Sequence, residues 1–452
     1  MLLWVGEHGW LAKDEFIPSA SLFITDPWRW LGRGIVYATG SLLVLSAWQQ
    51  VSAAYAGEYF ACLTSLVAGA GLVVAANDLV SLFLGLEIVS LSTYVVLYIS
   101  RRDLSGLEAT IKYFLLSIFS SAIFLFGVSL LYLAVGRTNY LQIRLQLQDL
   151  GNNPLVLVSG LFVIGGLGFR LAAVPFHFYA PEVFAGTHPI GAALLAVMPK
   201  VVGFLAIYQV LTEIYAAAVA TVALNIQVSS LLLLTISVLA GASMLLGNLG
   251  ALQQDNIYRL LAYSSIAHTG YMLVGLAAGA KGQLVAGEQA LVFYLGAYVL
   301  MSVGVFVGLL CVRQGEKLAE YIDELSGLAR SRPMLALCLA VGLLSLTGLP
   351  PTLGFWGKVL LFLAAWNAPE GQPTLRYLAV FLAVNAAIGA WYYLRVIGVM
   401  YLRQPVRSYD RAVDIPAWLA CGIGTVATLV LFFVPGLWWG TVARAFSGTV
   451  GP

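Results

Sequence analysis

Leu167-Gly-Phe-Arg-Leu-Ala-Ala-Val-Pro-Phe-His-Phe-Tyr-Ala-Pro-Glu-Val-Phe184 sets an arginine inside an apolar run, five residues before a proline. A proline there removes a backbone donor and clashes with the preceding turn, so a helix entering at Leu167 must break near Pro175. In a soluble protein such a segment reads as a loop. The rest of the chain excludes that reading: 60% of its 452 residues are hydrophobic and only 10% are charged, with a mean hydropathy of +0.90. That composition cannot cover a water-facing surface. The runs approach the roughly 20 residues that a helix rising ~1.5 Å per residue needs to cross a ~30 Å hydrocarbon core, and the short alternating segments of a transmembrane barrel are missing.

Apolar runs lie near residues 34–54, 59–77, 79–99, 111–135, 155–180, 190–213, 228–252, 258–280, 288–312, 334–367, 375–402 and 416–440. The fifth is interrupted by Pro175 and Pro181. The tenth is interrupted by Thr347-Gly-Leu-Pro-Pro-Thr352, with Pro350 and Pro351 at its centre. Broken backbone at membrane depth is tolerated only where protein or water satisfies the freed carbonyls. The two breaks stand five spans apart, and an odd offset reverses chain direction across the bilayer, which fits inverted-topology repeats. The expectation is an all-α polytopic membrane protein of about 12 transmembrane helices. It divides into an extramembrane segment (1–33), a first five-helix repeat (59–213), an inverted second (228–402), and a C-terminal helix and tail (416–452).

Assigning Lys and Arg to alternating sides gives one face Arg101, Arg102, Lys112, Arg259, Arg313, Lys317, Arg330, Arg332, Arg403, Arg407 and Arg411. The other receives Lys13, Arg29, Arg33, Arg137, Arg144, Lys281, Arg376 and Arg444. The longer list, clustered at helix ends, marks the cytoplasmic side and puts both termini opposite. The first thirty residues carry Glu7, Lys13, Asp14, Glu15, Asp26 and Arg29, which does not match a cleavable signal peptide. Four scattered cysteines and four histidines give no paired or clustered spacing for a metal, haem or iron–sulfur centre, so no cofactor is expected in this chain. A net charge of +2 does not suggest nucleic acid as a partner.

Once loop charges and those at the run edges are set aside, five charged residues remain inside the runs: Glu87, Arg170, Lys200, Lys358 and Arg395. Each is expensive in hydrocarbon and by default marks a functional site with a partner. Arg395 lies within two turns of a span end, where a long side chain can also snorkel to the interface. Glu87, about nine residues or ~14 Å into its span, is too short to do so. With Lys200 and Lys358 at similar depths and Arg170 at the first break, these four converge on the midplane. A lysine beside a glutamate changes protonation state when its partner moves or is screened, so a hydrated row of such groups conducts protons. His177 at the first break and His268 are further candidates, each equally readable as a structural donor.

Asn77-Asp-Leu-Val-Ser-Leu-Phe-Leu-Gly-Leu-Glu87, Glu108-Ala-Thr-Ile-Lys-Tyr-Phe114, Pro175-Phe-His-Phe-Tyr-Ala-Pro-Glu182, Leu260-Leu-Ala-Tyr-Ser-Ser-Ile-Ala-His268 and Gly348-Leu-Pro-Pro-Thr-Leu-Gly-Phe-Trp-Gly-Lys358 together resemble the antiporter-like membrane subunits of respiratory complex I. The likeness runs from about Leu22 to Leu402 and is closest to the subunit N (subunit 2) branch. It implies proton translocation driven from a distance by quinone reduction. It implies a half-channel glutamate at Glu87, a broken-helix cation at Arg170, a connecting lysine at Lys200 and an exit lysine at Lys358, with Lys112 within a shared motif. It also implies a bacterial inner membrane, an adjacent antiporter-like subunit and small central membrane subunits as partners, and quinone, FMN and iron–sulfur clusters held by those partners.

Three features depart from the family. Its plan has fourteen helices, two of which would precede Leu22. Its Gly-Ala-Pro-Thr-Pro turn reads Gly186-Thr-His-Pro-Ile190, and its usual lysine is replaced by Arg170, whose guanidinium does not deprotonate. The alternatives are a subunit of a multi-subunit cation/proton antiporter or membrane-bound hydrogenase, a non-pumping structural subunit, and, least favoured, a solute permease.

Overall fold

The computed structural model describes residues 22–150, 153–215, 226–279, 285–315, 317–368, 373–406 and 414–447. Residues 1–21 of the expected extramembrane segment, Lys281, Arg407, Arg411 and the last five residues lie outside this set.

Sixteen helices are numbered here in chain order: α1 (Pro27–Ala47), α2 (Ala56–Ala75), α3 (Leu79–Ser100), α4 (Leu104–Val135), α5 (Tyr140–Asp149), α6 (Pro154–Arg170), α7 (Ala180–Gly186), α8 (Pro189–Gln209, continued by a π-turn at Val210–Tyr215), α9 (Ile226–Leu252), α10 (Ile257–Gly279), α11 (Val285–Leu310), α12 (Pro333–Thr347), α13 (Leu353–Trp366), α14 (Pro373–Leu402), α15 (Ile415–Phe433) and α16 (Pro435–Ser447). Among the described residues nine helices are long and apolar enough to cross a membrane. The 21-residue α1 and the two interrupted helices, α6–α7 and α12–α13, bring the traverses to the twelve expected.

Sequence chemistry places the helix ends. Asp78 accepts from the Val80 and Ser81 amides to start α3, and Asp103 accepts from Gly106 to start α4. Gly136, with φ of 69°, ends α4, and Gly348, with φ of 84°, ends α12.

The described structure differs from expectation at several edges. α1 begins at Pro27 rather than near 34, so Arg29 and Arg33 lie within its first two turns. The C-terminal run ends at Phe433 and is followed by a separate helix, α16. Between α4 and α6 lies the ten-residue α5, and a two-stranded hairpin joins Arg313–Gln314 to Lys317–Leu318. These short elements carry too little periodic signal to stand out from a loop.

Burial sorts the helices. The most apolar windows of α8, α10 and α11 are 100%, 94% and 94% buried, whereas those of α2, α4, α14 and α15 are less than half buried. A helix apolar on every side belongs in the interior of a bundle. α8 and α10 carry Lys200 and His268, so these residues sit on the axis farthest from lipid. Close approach depends on small residues: a Cβ on Gly247 of α9 would lie 2.5 Å from the Ala267 amide nitrogen of α10.

Candidate functional site

Both interruptions leave helix-terminal carbonyls to be satisfied. At the first, Arg170 is the last residue of α6, and turns run to Tyr179. The Tyr179 hydroxyl donates to Phe169 O (3.1 Å), Thr269 Oγ1 of α10 donates to Leu171 O (2.7 Å), and the Val174 amide donates to Ser243 Oγ of α9 (3.0 Å). At the second, Lys358 Nζ reaches back from α13 to Leu346 O (2.9 Å) and Thr347 O (2.8 Å), the last carbonyls of α12. That is the negative end of a helix dipole, which favours a cation.

Arg170 is buried and Glu87 has 26% of its side chain exposed; the two pair at 3.2 Å. The planar guanidinium uses both ends. Nη1 donates to Ser90 Oγ (2.7 Å) and Leu86 O (3.2 Å), and Nη2 donates to Glu87 Oε1 and to Ser121 Oγ (3.4 Å). Ser121 in turn donates to Glu87 Oε1 at 2.5 Å. Four acceptors from α3 and α4 therefore hold the cation, one more than a lysine has protons to serve.

Lys200 is 2% exposed. Its ammonium donates to Ser265 O and to Thr269 Oγ1 (2.7 Å) of α10, with the Tyr298 ring centroid 5.6 Å away. Thr269 thus stands between Lys200 and the carbonyl next to Arg170. One residue back on α10, His268 is bonded through Nδ1 to the Tyr294 hydroxyl (2.7 Å) and through Nε2 to the Tyr393 hydroxyl (3.1 Å). A neutral imidazole donates from one nitrogen and accepts at the other, so it can pass a proton between two hydroxyls. Tyr271 lies edge-on to His268 with centroids 5.4 Å apart, and its ring is 4.7 Å from Lys358 Nζ. Glu87, Arg170, Lys200, His268 and Lys358 form one row, joined by Ser121, Thr269 and a group of tyrosines.

The other candidates lie apart from this row. Arg395 pairs with Asp255 and donates to Gln254 O (3.2 Å) near the end of α14, as a snorkelling side chain would. Lys112 pairs with Glu108 and with Glu182 of α7. All three line a polar cavity of about 600 Å³ with Arg101, Asp255 and Arg259. His177 is half-buried in the turn after Pro175, and its Nδ1 has no partner among the described residues. Pro175, Pro350 and Pro351 are exposed and shape the two breaks.

Sequence reasoning missed Ser90, Ser121, Thr269 and the tyrosines, as well as Asn248, which donates to Tyr271 Oη and to Asn385 Oδ1. Uncharged polar residues are common in apolar helices, and only the packing reveals which ones meet. Thr269 was marked by one signal, its place four residues after Ser265 on the face that also carries His268.

Fold and site together define an integral membrane protein built around a buried polar axis. The family described as NADH:quinone oxidoreductase/Mrp antiporter, transmembrane, matches residues 76–384. NADH-quinone oxidoreductase subunit N of Paramagnetospirillum magneticum is 34% identical over 432 residues, covering 94% of this chain and 85% of that protein. NAD(P)H-quinone oxidoreductase subunit 2 of a Synechococcus species is 37% identical over 427 residues, covering 92% and 77%. Among solved structures, a chain of respiratory complex I from Thermus thermophilus superposes with a TM-score of 0.76 at 30% identity, over 93% of this chain and 87% of that one. A chain of the Mrp complex from a Dietzia species shares the fold, with a TM-score of 0.77 at 23% identity over 96% and 86%. The chain belongs to the NADH:quinone oxidoreductase/Mrp antiporter transmembrane family.

Proposed function

We propose that this chain is the proton-translocating subunit N of an NADH–quinone oxidoreductase, with Glu87, Arg170, Lys200, His268 and Lys358 as its midplane pathway. One observation carries the proposal: four buried ionisable groups and the partly exposed Glu87 form a contact-linked row that includes a residue of each broken helix. Each break lies in the fourth of five consecutive traverses, which supports reading the two blocks as inverted repeats. Protons move along hydroxyl, imidazole and ammonium groups with water between them, while the Arg170 guanidinium stays charged and holds Glu87 in a fixed ion pair.

Redox chemistry belongs to partner subunits holding FMN, iron–sulfur clusters and quinone. An adjacent antiporter-like subunit and the small central membrane subunits flank this one in a bacterial inner membrane. The arginine-rich face around the 313–318 hairpin is cytoplasmic and both termini lie opposite, as the loop charges favour.

The deciding experiment reconstitutes the whole complex in vesicles and measures protons moved per NADH oxidised. Glu87→Gln lowers that ratio. An unchanged ratio supports the second reading, a non-pumping structural subunit, which the replacement of the family lysine by Arg170 favours.

A further inference from the structure

A second polar cluster lies outside the midplane row, where α1 begins. Arg29 is fully buried. It pairs with Asp26 and, at 3.4 Å, with Glu213 Oε1 on the π-turn that ends α8. Its guanidinium stands 4.8 Å from the Trp28 ring centroid, and Trp28 packs edge-on against Tyr208 at 4.9 Å. The Tyr208 hydroxyl donates to Glu288 Oε2 at 3.0 Å, in the first turn of α11. Arg29 Nε and the Tyr140 hydroxyl are buried without a protein partner among the described residues. Tyr140 is within electrostatic reach of both Arg29 and Glu213, as Arg144 is of Glu213. Asp26 and Glu213 are thus two carboxylates on one buried guanidinium, and Glu288 joins the same cluster through Tyr208 and Trp28.

This cluster is aligned with the midplane row. Tyr208 follows Lys200 by eight residues on α8, or ~12 Å along the axis. On α10, His268, Gly275 and Gly279 are spaced by seven and then four residues, which places them on one face. His268 belongs to the row. A Cβ on Gly275 would meet Leu361 Cδ2 at 2.5 Å, the Gly287 backbone carbonyl at 3.3 Å and Leu291 Cβ at 3.4 Å, and one on Gly279 would meet Glu288 Cγ at 2.7 Å. One helix face therefore presents in succession a relay group, an apolar layer of Leu291 and Leu361, and a carboxylate.

We propose that Glu288, oriented by Tyr208 and bordered by the Arg29–Glu213 pair, is the proton-release site on the face where α1 begins. The Leu291–Leu361 layer is the barrier that water must cross to connect it to His268 and Tyr294. When the layer hydrates, a proton from the row transfers to the Glu288 carboxylate. It then leaves from the carboxylic acid to bulk water, with Glu213 as the neighbouring acceptor.

This inference rests on the pumping reading, and one set of variants separates the two. In the complete complex in vesicles, Glu288→Gln lowers the proton-to-NADH ratio to the value given by Glu87→Gln, and Glu288→Asp retains most of it. A ratio lowered by Glu87→Gln but untouched by Glu288→Gln overturns the release site alone; a ratio untouched by both overturns pumping by this subunit. Tyr208→Phe keeps the ring against Trp28 and removes only the hydroxyl. It displaces the pH on the release side at which pumping is half-maximal by about one unit, the shift equal to a tenfold change in proton affinity. If Glu288→Gln does not assemble, this variant decides, and an unmoved profile overturns the assignment.

Discussion

Replacing Arg170 separates a fixed charge from a proton carrier. At 3.2 Å the attraction between its guanidinium and Glu87 is about 5 kcal/mol at an effective dielectric constant of ~20. Because 26% of the Glu87 side chain is exposed, solvent screening cuts this to about 2–3 kcal/mol. Arg170→Gln removes that attraction and leaves the Glu87 carboxylate without its charged partner. Arg170→Lys keeps the charge but leaves at least one of the four acceptors (Ser90 Oγ, Leu86 O, Glu87 Oε1, Ser121 Oγ) unserved, at a cost of about 1 kcal/mol. The expected order of proton-to-NADH ratios in reconstituted vesicles is wild type, then Arg170→Lys, then Arg170→Gln. Arg170→Gln combined with Glu87→Gln is no worse than the lower single variant, because the two residues act as one unit. An Arg170→Gln ratio equal to wild type refutes the fixed-charge role.

Thr269→Val deletes the hydroxyl between Lys200 and Leu171 O. It is expected to cost about 1–3 kcal/mol as lower thermal stability in detergent, together with a reduced ratio. Tyr294→Phe removes one partner of His268 and lowers the ratio, whereas Arg395→Gln breaks only a surface pair worth about 0–1 kcal/mol and leaves the ratio unchanged. Gly354→Ala would place a Cβ 1.9 Å from Ser345 O across the second break. The backbone must separate, and the yield of assembled complex on a native gel falls.

Much of the architecture was legible because the bilayer imposes a length rule and proline an interruption rule, and both act locally. The twelve traverses and both breaks followed from them. Residue counting put Glu87, Lys200 and Lys358 well inside their helices, and the folded chain buries Lys200 and Lys358. Arg29 was misread for the same reason: hydropathy windows discount a helix start capped by Asp26 and carrying Arg29 and Arg33, so the charge was assigned to a loop although the folded chain buries it. Glu213 and Glu288 sit near run ends, where a carboxylate ordinarily meets water, and only the approach of α1 to α8 reveals their setting. Hydroxyl links such as Thr269 depend on which helix faces which, and hydrophobicity in one chain segment does not encode that.

The two breaks satisfy their carbonyls by different means. The first is closed by neutral side chains that can remain in place during turnover, Tyr179 and Thr269. The second is closed by Lys358 itself. If that ammonium swings away, two carbonyls lose a donor deep in the protein, at about 1–3 kcal/mol each unless something replaces it. Water is the available substitute, so a lysine excursion and local wetting of the second break are one event, and whatever favours either drives the other.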